Sequence, residues 1–190
     1  ITAVNGSSSV DIEVLSDFKN FDATSDWLEG EWSARRGWPS AVSFHDGRLG
    51  WFRGDRWWLS ESDNYYAFNL ETEGDAGSIQ KDIATSGSVN TINWALSLQR
   101  LILGTAGAEI SARASSFDEP LSPTQTTLKN ASTIGSNYVS PVKIDRGGLY
   151  VDASGLRVYE LLFDVEGQDY DSQNLMRLNE DIGGDGIVAL

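Results

Sequence analysis

The sequence predicts an all-β fold: a partial β-propeller of about three four-stranded antiparallel blades, preceded by a short β segment. Three observations predict it. First, IEVL, AVSFH, TINWALSL, RLILGT, EISARA, GLYVD and LRVYELLFDV alternate or run apolar between Gly, Asp, Asn and Ser, the pattern of half-buried or buried strands. Second, a helical period is nearly absent; only DFKNFDATSDWLEGEW and QNLMRLNEDI offer a short turn each. Third, the strand pattern repeats.

The repeat is found by aligning Leu49, Leu101 and Leu149 without a gap. Seven residues upstream stand Val42, Trp94 and Val142, and five upstream Phe44, Leu96 and Ile144. Two downstream come Trp51, Leu103 and Val151; nine downstream come Trp58, Ile110 and Val158. Side chains alternate along a strand with period two, so each pair of positions shares a face. Gly54, Gly107 and Gly155 follow each anchor where one strand must turn into the next, and Arg48 and Arg100 precede two of the anchors. Each unit therefore reads strand, tight turn, strand, glycine turn, strand. YYAFNLE, TQTTLKN and NLMRLN are the candidates for a fourth strand. Four-stranded units recurring at about 40–50 residues are the signature of propeller blades; a Greek-key sandwich is the alternative.

The elements then fall in order. Residues 1–38 read as the end of an upstream β-domain, with ITAVNGSSSVDIEVLSD as a hairpin and ATSDWLEGEWSARRGW as a lead-in segment. Residues 39–190 are the propeller-like region, with units at about 39–88, 89–138 and 139–190. Three units are fewer than the roughly 4–8 blades of a closed propeller. The terminal GDGIVAL reads as another strand starting, and the chain begins at Ile1 without a methionine, so the sequence points to a piece of a longer polypeptide.

Composition narrows the function classes. There is no cysteine, which excludes disulfides, thiolate metal sites and a cysteine nucleophile. No apolar run approaches the roughly 20 residues of a membrane span. A net charge of −14 repels phosphate at long range, which disfavours tight nucleic-acid binding; it would suit a surface past which DNA slides, and the simpler reading is that acidity keeps a secreted, halophilic or viral protein soluble.

The residues that invite chemistry do not assemble a site. In the repeat frame Val42, Phe44, Leu49, Trp51 and Trp58 take buried positions, while Trp57, Arg53 and Arg56 fall on opposite faces or the turn. His45, the one histidine, is expected at a solvent-facing strand end. With no Gly-x-Ser-x-Gly elbow and no cysteine, neither a serine nor a cysteine triad is supported. Asp164–Asn174 and Asn179–Val188 are oxygen-rich, yet the first lacks the loop glycine and terminal glutamate of an EF-hand, so both read as solvated turns. No catalytic, cofactor-binding or metal-ligating residue is expected. The tryptophans between Trp27 and Trp58 leave one binding option, because outward aromatic rings stack on sugar faces.

The segment GWPSAVSFHDGRL at Gly37–Leu49, followed by WWLSESDNY at Trp57–Tyr65, resembles a module of the tail tubular protein B, or nozzle, family of short-tailed phages. VNTINWALSLQRLILGTAGAE at Val89–Glu109 and GLRVYELLFD at Gly155–Asp164 are similar to later segments of the same module, in the same order, so the likeness spans roughly residues 30–175. One departure is the spacer GWFRGDRWWLS, shorter than the family's usual Gly/Pro/Asn-rich loop. Family members are several times longer than this chain. The resemblance implies a non-enzymatic virion component. It would be a β-propeller subunit of a ring homo-oligomer, six-fold in the family, that forms the distal tail tube through which DNA exits without tight binding. Its other neighbours would be tail adaptor and fibre proteins. The competing expectation is a glycan-binding propeller or depolymerase acting on host-surface polysaccharide through the Trp27–Trp58 aromatics.

Overall fold

The computed structural model describes residues 2–7, 9–13, 30–83, 91–116 and 119–190. An N-terminal hairpin pairs β1 (Ala3–Gly6) with β2 (Ser9–Asp11). Three four-stranded antiparallel sheets follow, each a meander in which a strand pairs only with its neighbours in sequence. Sheet I holds β3 (Ala41–His45), β4 (Arg48–Arg53), β5 (Arg56–Leu59) and β6 (Ile79–Asp82). Sheet II holds β7 (Ile92–Ser97), β8 (Leu101–Thr105), β9 (Glu109–Arg113) and β10 (Thr127–Ser132). Sheet III holds β11 (Val142–Ile144), β12 (Gly147–Val151), β13 (Val158–Asp164) and β14 (Asp169–Asn174). The arrangement is propeller-like, and no sheet closes on itself.

The sheets stack face to face, and the two seams between them are the hydrophobic core. In the stack, sheet I meets sheet II with its back face, sheet II meets sheet I with its front face and sheet III with its back face, and sheet III meets sheet II with its front face. The back face of sheet I presents Phe52, Trp57, Leu59 and Ile79 to Ile92, Leu101, Leu103, Ile110 and Ala112 of sheet II. The back face of sheet II presents Trp94, Leu96 and Ile102 to Tyr150, Leu161 and Tyr170 of sheet III. A middle sheet covered on both faces must be apolar on both, which is why all five residues of β8 are buried.

Positions that align in sequence do not share a face in space. In sheet I, Val42 pairs with Trp51 and Phe44 with Leu49, and this set lies on the front face. No described four-stranded sheet precedes it, and Trp32 packs on it, over Trp51 and Trp58. Val42 is therefore 52% exposed and Phe44 60% exposed, Leu49 and Trp51 are half-buried, and of the five expected core residues only Trp58 is fully buried. In sheet II, three residues separate Ser97 from Leu101, one more than the Asp46-Gly47 turn of sheet I. That extra residue turns Trp94 and Leu96 to the back while Leu101 and Leu103 stay in front, and a bulge between Ile92 and Trp94 returns Ile92 to the front. In sheet III, the pairs Val142↔Leu149 and Val151↔Val158 put the whole aligned set on the back face. The repeat of strands is real; the ungapped alignment followed periodicity and missed the side, because one residue flips every side chain.

Two of the three fourth strands also differ from expectation. Tyr65–Leu70 forms turns, and β6 is supplied instead by Ile79–Asp82, whose Ile79 completes the buried back face. In sheet III the edge is Asp169–Asn174, closed onto β13 by a tight hairpin, and residues 175–178 are turns. TQTTLKN does overlap β10. GDGIVAL forms no strand; Ile187 N–H donates to Gly155 O (2.8 Å), and Gly186 N–H donates back to Gly183 O (2.9 Å). Of the two candidate helical turns, DFKNFDATSDWLEGEW lies mostly outside the described residues, and the second yields only a 3-10 turn at Glu180–Gly183.

Candidate functional site

The buried polar residues concentrate at the sheet seams. Alternation along β4 turns Arg48 to the back face, where it is buried. Its guanidinium donates to Ser60 O (2.7 Å), Gly77 O (2.6 Å) and Asp75 O (2.5 Å). Desolvation lowers its pKa, partly offset by Asp46, Asp63 and Asp75. The planar fork of arginine fits this role, because several N–H groups meet several carbonyls that the loop leaves unpaired. Arg48 thereby fastens the long connection from β5 to β6.

His45 is not solvent-facing. It pairs with Arg48 across the hairpin, shares the back face, and is 4% exposed. Its Nδ1 shares a hydrogen bond with Ser97 Oγ of sheet II (2.9 Å), and its Nε2 lies 3.2 Å from Asp46 Oδ2. The hydrogen bond from His45 is the first cause that holds the Asp46 carboxyl below its usual range. The histidine is a seam residue joining two sheets.

The second seam holds two buried carboxylates. Glu109 is fully buried at the start of β9 and accepts from Ser136 Oγ (2.5 Å) and from Ser132 Oγ. Nearby, the Tyr150 hydroxyl donates to Ser172 Oγ (3.0 Å). Burial, reinforced by the Glu109 charge, pushes the Tyr150 phenol far above its ordinary value. Asp169 meets Arg100 at 2.9 Å, with Arg113 and Lys129 each at 3.9 Å, and the Arg100 guanidinium lies 5.7 Å from the centre of the Phe163 ring. A buried carboxylate is tolerated only with such partners.

Where the first strands of sheets I and II meet the segment leading into sheet III, a cleft of about 490 Å³ opens. Its walls include Ser40, Trp51, Asn93, Trp94, Tyr138 and Ser140. Asn93 Nδ2 donates to Ser136 O (2.6 Å), and its Oδ1 has no partner. Aromatic walls with a few amides and hydroxyls suit a neutral, flat-faced ligand.

The expected tryptophan cluster is divided. Trp27 lies outside the described residues. Trp32 packs edge-on against Trp51 (5.6 Å), Trp58 (5.5 Å) and Phe68 (5.9 Å), and Arg53 sits over the Trp58 ring. Trp57 is buried in the first seam, stacked with Phe52. Trp38 alone among the described members stands well exposed.

Of the two oxygen-rich loops, Asp164–Asn174 is the β13–β14 hairpin. The Asp164 carboxylate accepts from Glu166 N and Gly167 N and closes the turn, while Asp169 belongs to the Arg100 ion pair. In Asn179–Val188 the Asn179 side chain accepts from Asp181 N as a cap. No group of three or more His, Cys, Asp or Glu placed to hold a metal ion occurs among the described residues. No helix among them is long and apolar enough to cross a membrane. Sequence reasoning missed Glu109, Asp169 and Tyr138. It did register Arg48 and Arg100 as recurring before two anchors, and both are buried.

No known protein-family model matches the chain. No curated protein is significantly similar to it.

Proposed function

We propose that this chain is a propeller segment of a phage tail nozzle or tube subunit. It is a structural part of a homo-oligomeric ring, six-fold as in the family it resembles, whose channel passes DNA. The observation that carries the reading is the coincidence of motif and architecture. The nozzle-like segments at Gly37–Leu49, Val89–Glu109 and Gly155–Asp164 lie on successive sheets of one propeller-like stack. The charge of −14 adds support, since an acidic wall repels the phosphate backbone and lets DNA move without gripping it. The polar anchors agree too: Arg48, His45 and Glu109 fix sheets to loops and to each other, as a rigid conduit requires. Adaptor and fibre proteins would be its neighbours in the tail. Cryo-electron microscopy of the assembly tests this reading. Density for the chain in a ring at the distal end of a tail is expected; placement as a peripheral appendage would refute it.

One observation favours a second reading, a glycan-binding propeller: the cleft with Trp51, Trp94 and Tyr138 on its walls. Titration with a host-surface polysaccharide would then quench or shift tryptophan fluorescence, and Tyr138→Ala would weaken the response. An unchanged spectrum removes this reading.

A further inference from the structure

The second seam changes character toward β9 and β10. Ile110 and Ala112 of β9 belong to the first seam, so alternation turns Ser111 and Arg113 to the back face. Thr127 pairs with Arg113, and Lys129 with Ser111, which puts these four side chains on one face. Asp169 of sheet III stands opposite. The chain has 28 acidic residues against 14 basic ones, yet here Arg100, Arg113 and Lys129 gather on a single carboxylate.

That carboxylate does not use them all. Arg100 meets Oδ1 at 2.9 Å. Arg113 and Lys129 stand 3.9 Å from Oδ2, outside hydrogen-bond reach, and this buried oxygen has no hydrogen-bond partner among the described residues. Arg36, Arg53 and Arg56 around Glu31 make the contrast, because there each guanidinium donates to Glu31 at 3.0–3.2 Å. Arg113 and Lys129 are held together by charge, with donors to spare. Both side chains are partly exposed, at 35% and 50%.

Beside them opens a cavity of about 530 Å³ bordered by Arg100, Arg113, Ser116, Thr127, Phe163 and Gln168. Its aromatic wall is fixed: Tyr170 meets the Phe163 ring edge-on at 5.4 Å, and the Arg100 guanidinium lies 5.7 Å from the ring centre. A volume of this size takes a sugar-sized body.

We propose that this cavity binds the carboxylate of an acidic sugar residue of the uronate type. Arg113 offers the planar fork that matches a carboxylate, and Lys129 adds a point charge beside it. The Phe163 ring faces the apolar side of the sugar. Ser116, Thr127 and Gln168 supply partners for its hydroxyls. A singly charged carboxylate is favoured over a doubly charged phosphate, because the field of a chain at −14 opposes each added negative charge. The cavity shares no residue with the uncharged cleft beside Trp51 and Trp94, and it depends on neither reading of the protein's function.

Ligand-observed NMR titration of the 190-residue chain with sodium D-glucuronate tests the site. Saturable binding near 1 mM is expected, about the affinity of a ligand this small at ordinary efficiency. D-glucose, the neutral counterpart, should bind at least about tenfold more weakly, and about 0.5 M NaCl should weaken glucuronate severalfold. Arg113→Ala and Lys129→Ala should each weaken it about tenfold, with cooperative urea transitions showing that both variants fold. Lys81→Ala, which removes a cation from β6 of sheet I, should leave the affinity unchanged. No saturation by about 20 mM overturns the proposal. Equal binding of glucose does so as well, as does an affinity indifferent to Arg113→Ala and Lys129→Ala. Inorganic phosphate binding more tightly than glucuronate would overturn the carboxylate assignment.

Discussion

Gly104→Ala probes how tightly the second seam is closed. Gly104 lies in β8 and pairs with Trp94 of β7 and Glu109 of β9. Its φ is not positive, so alanine meets no backbone strain and the whole effect is steric. A Cβ built on Gly104 falls 2.0 Å from Trp94 Cε2, 2.3 Å from Cζ2 and 2.5 Å from Cδ2. Carbon atoms in good contact stand about 3.5–4.0 Å apart, so the indole must retreat by about 1.5 Å. Trp94 is buried and leans on Tyr150 of sheet III, with ring centres 5.6 Å apart, and the retreat drives it into that ring. Overpacking of this kind costs about 1–3 kcal/mol, and β8 is held on both sides, which favours the upper end. Removing a glycine from the unfolded chain returns about 0.4–1 kcal/mol. The expected net loss is about 2 kcal/mol. Urea denaturation followed by circular dichroism reads this as a midpoint lower by about 1 M for a slope near 2 kcal/mol/M. In a Trp94→Leu background the alanine should cost less than about 0.5 kcal/mol, giving a coupling of about 1.5 kcal/mol in the double-mutant cycle. An unshifted midpoint for Gly104→Ala, or equal cost in both backgrounds, would refute the reasoning.

Arg48→Ala leaves the carbonyls of Ser60, Asp75 and Gly77 without their donor. It should destabilise by about 3 kcal/mol or more, with new protease cleavage within residues 61–78, and Arg48→Lys should recover only part of the loss. Tyr150 has its phenol pushed upward by burial, so the folded state keeps a proton that the unfolded state gives up. Stability is intact below pH 10 and falls as pH rises further, and Tyr150→Phe should flatten that slope in alkaline urea titrations. Asp82 has the opposite sign: the Arg56 hydrogen bond holds its carboxyl below the ordinary 3.8, so its contribution is present above that pH and lost as pH falls through the folded value. The pair is substantially exposed, so Asp82→Asn should cost under about 1 kcal/mol near neutrality, less in high salt, and progressively less as the pH is lowered below 3.8.

The all-β class and the strand repeat were legible because strands such as Ala41–His45 and Leu101–Thr105 carry β-branched and aromatic residues between turn formers. The side each residue faces was not legible. A sheet stacked between two others is apolar on both faces, so the alternation that separates inside from outside in a single-faced sheet carries little signal here. One extra residue in the β7–β8 turn then decided where Trp94 and Leu96 point. His45 was misplaced for the same reason: next to Phe44 it looked like the polar side of a strand, and that side is the seam. The edge strands Ile79–Asp82 and Asp169–Asn174 are polar and gave little strand signal, whereas the more apolar Tyr65–Leu70 forms turns and irregular chain. Glu109 gave no warning, since its serine partners lie 23 and 27 residues away.

The meander topology also bears on how the chain acquires its shape. Every strand pairs with the strand just before or after it in sequence, so each sheet can assemble from local hairpins before any seam exists. Low contact order of this kind favours fast folding. Stability then approximates a sum of terms for individual repeats and for neighbouring pairs. During synthesis sheet I is complete once Asp82 leaves the ribosome, yet its Trp57 face stays wet until β8 and β9 arrive. The interval between those events, rather than strand pairing, is when the nascent chain is most exposed to misassociation.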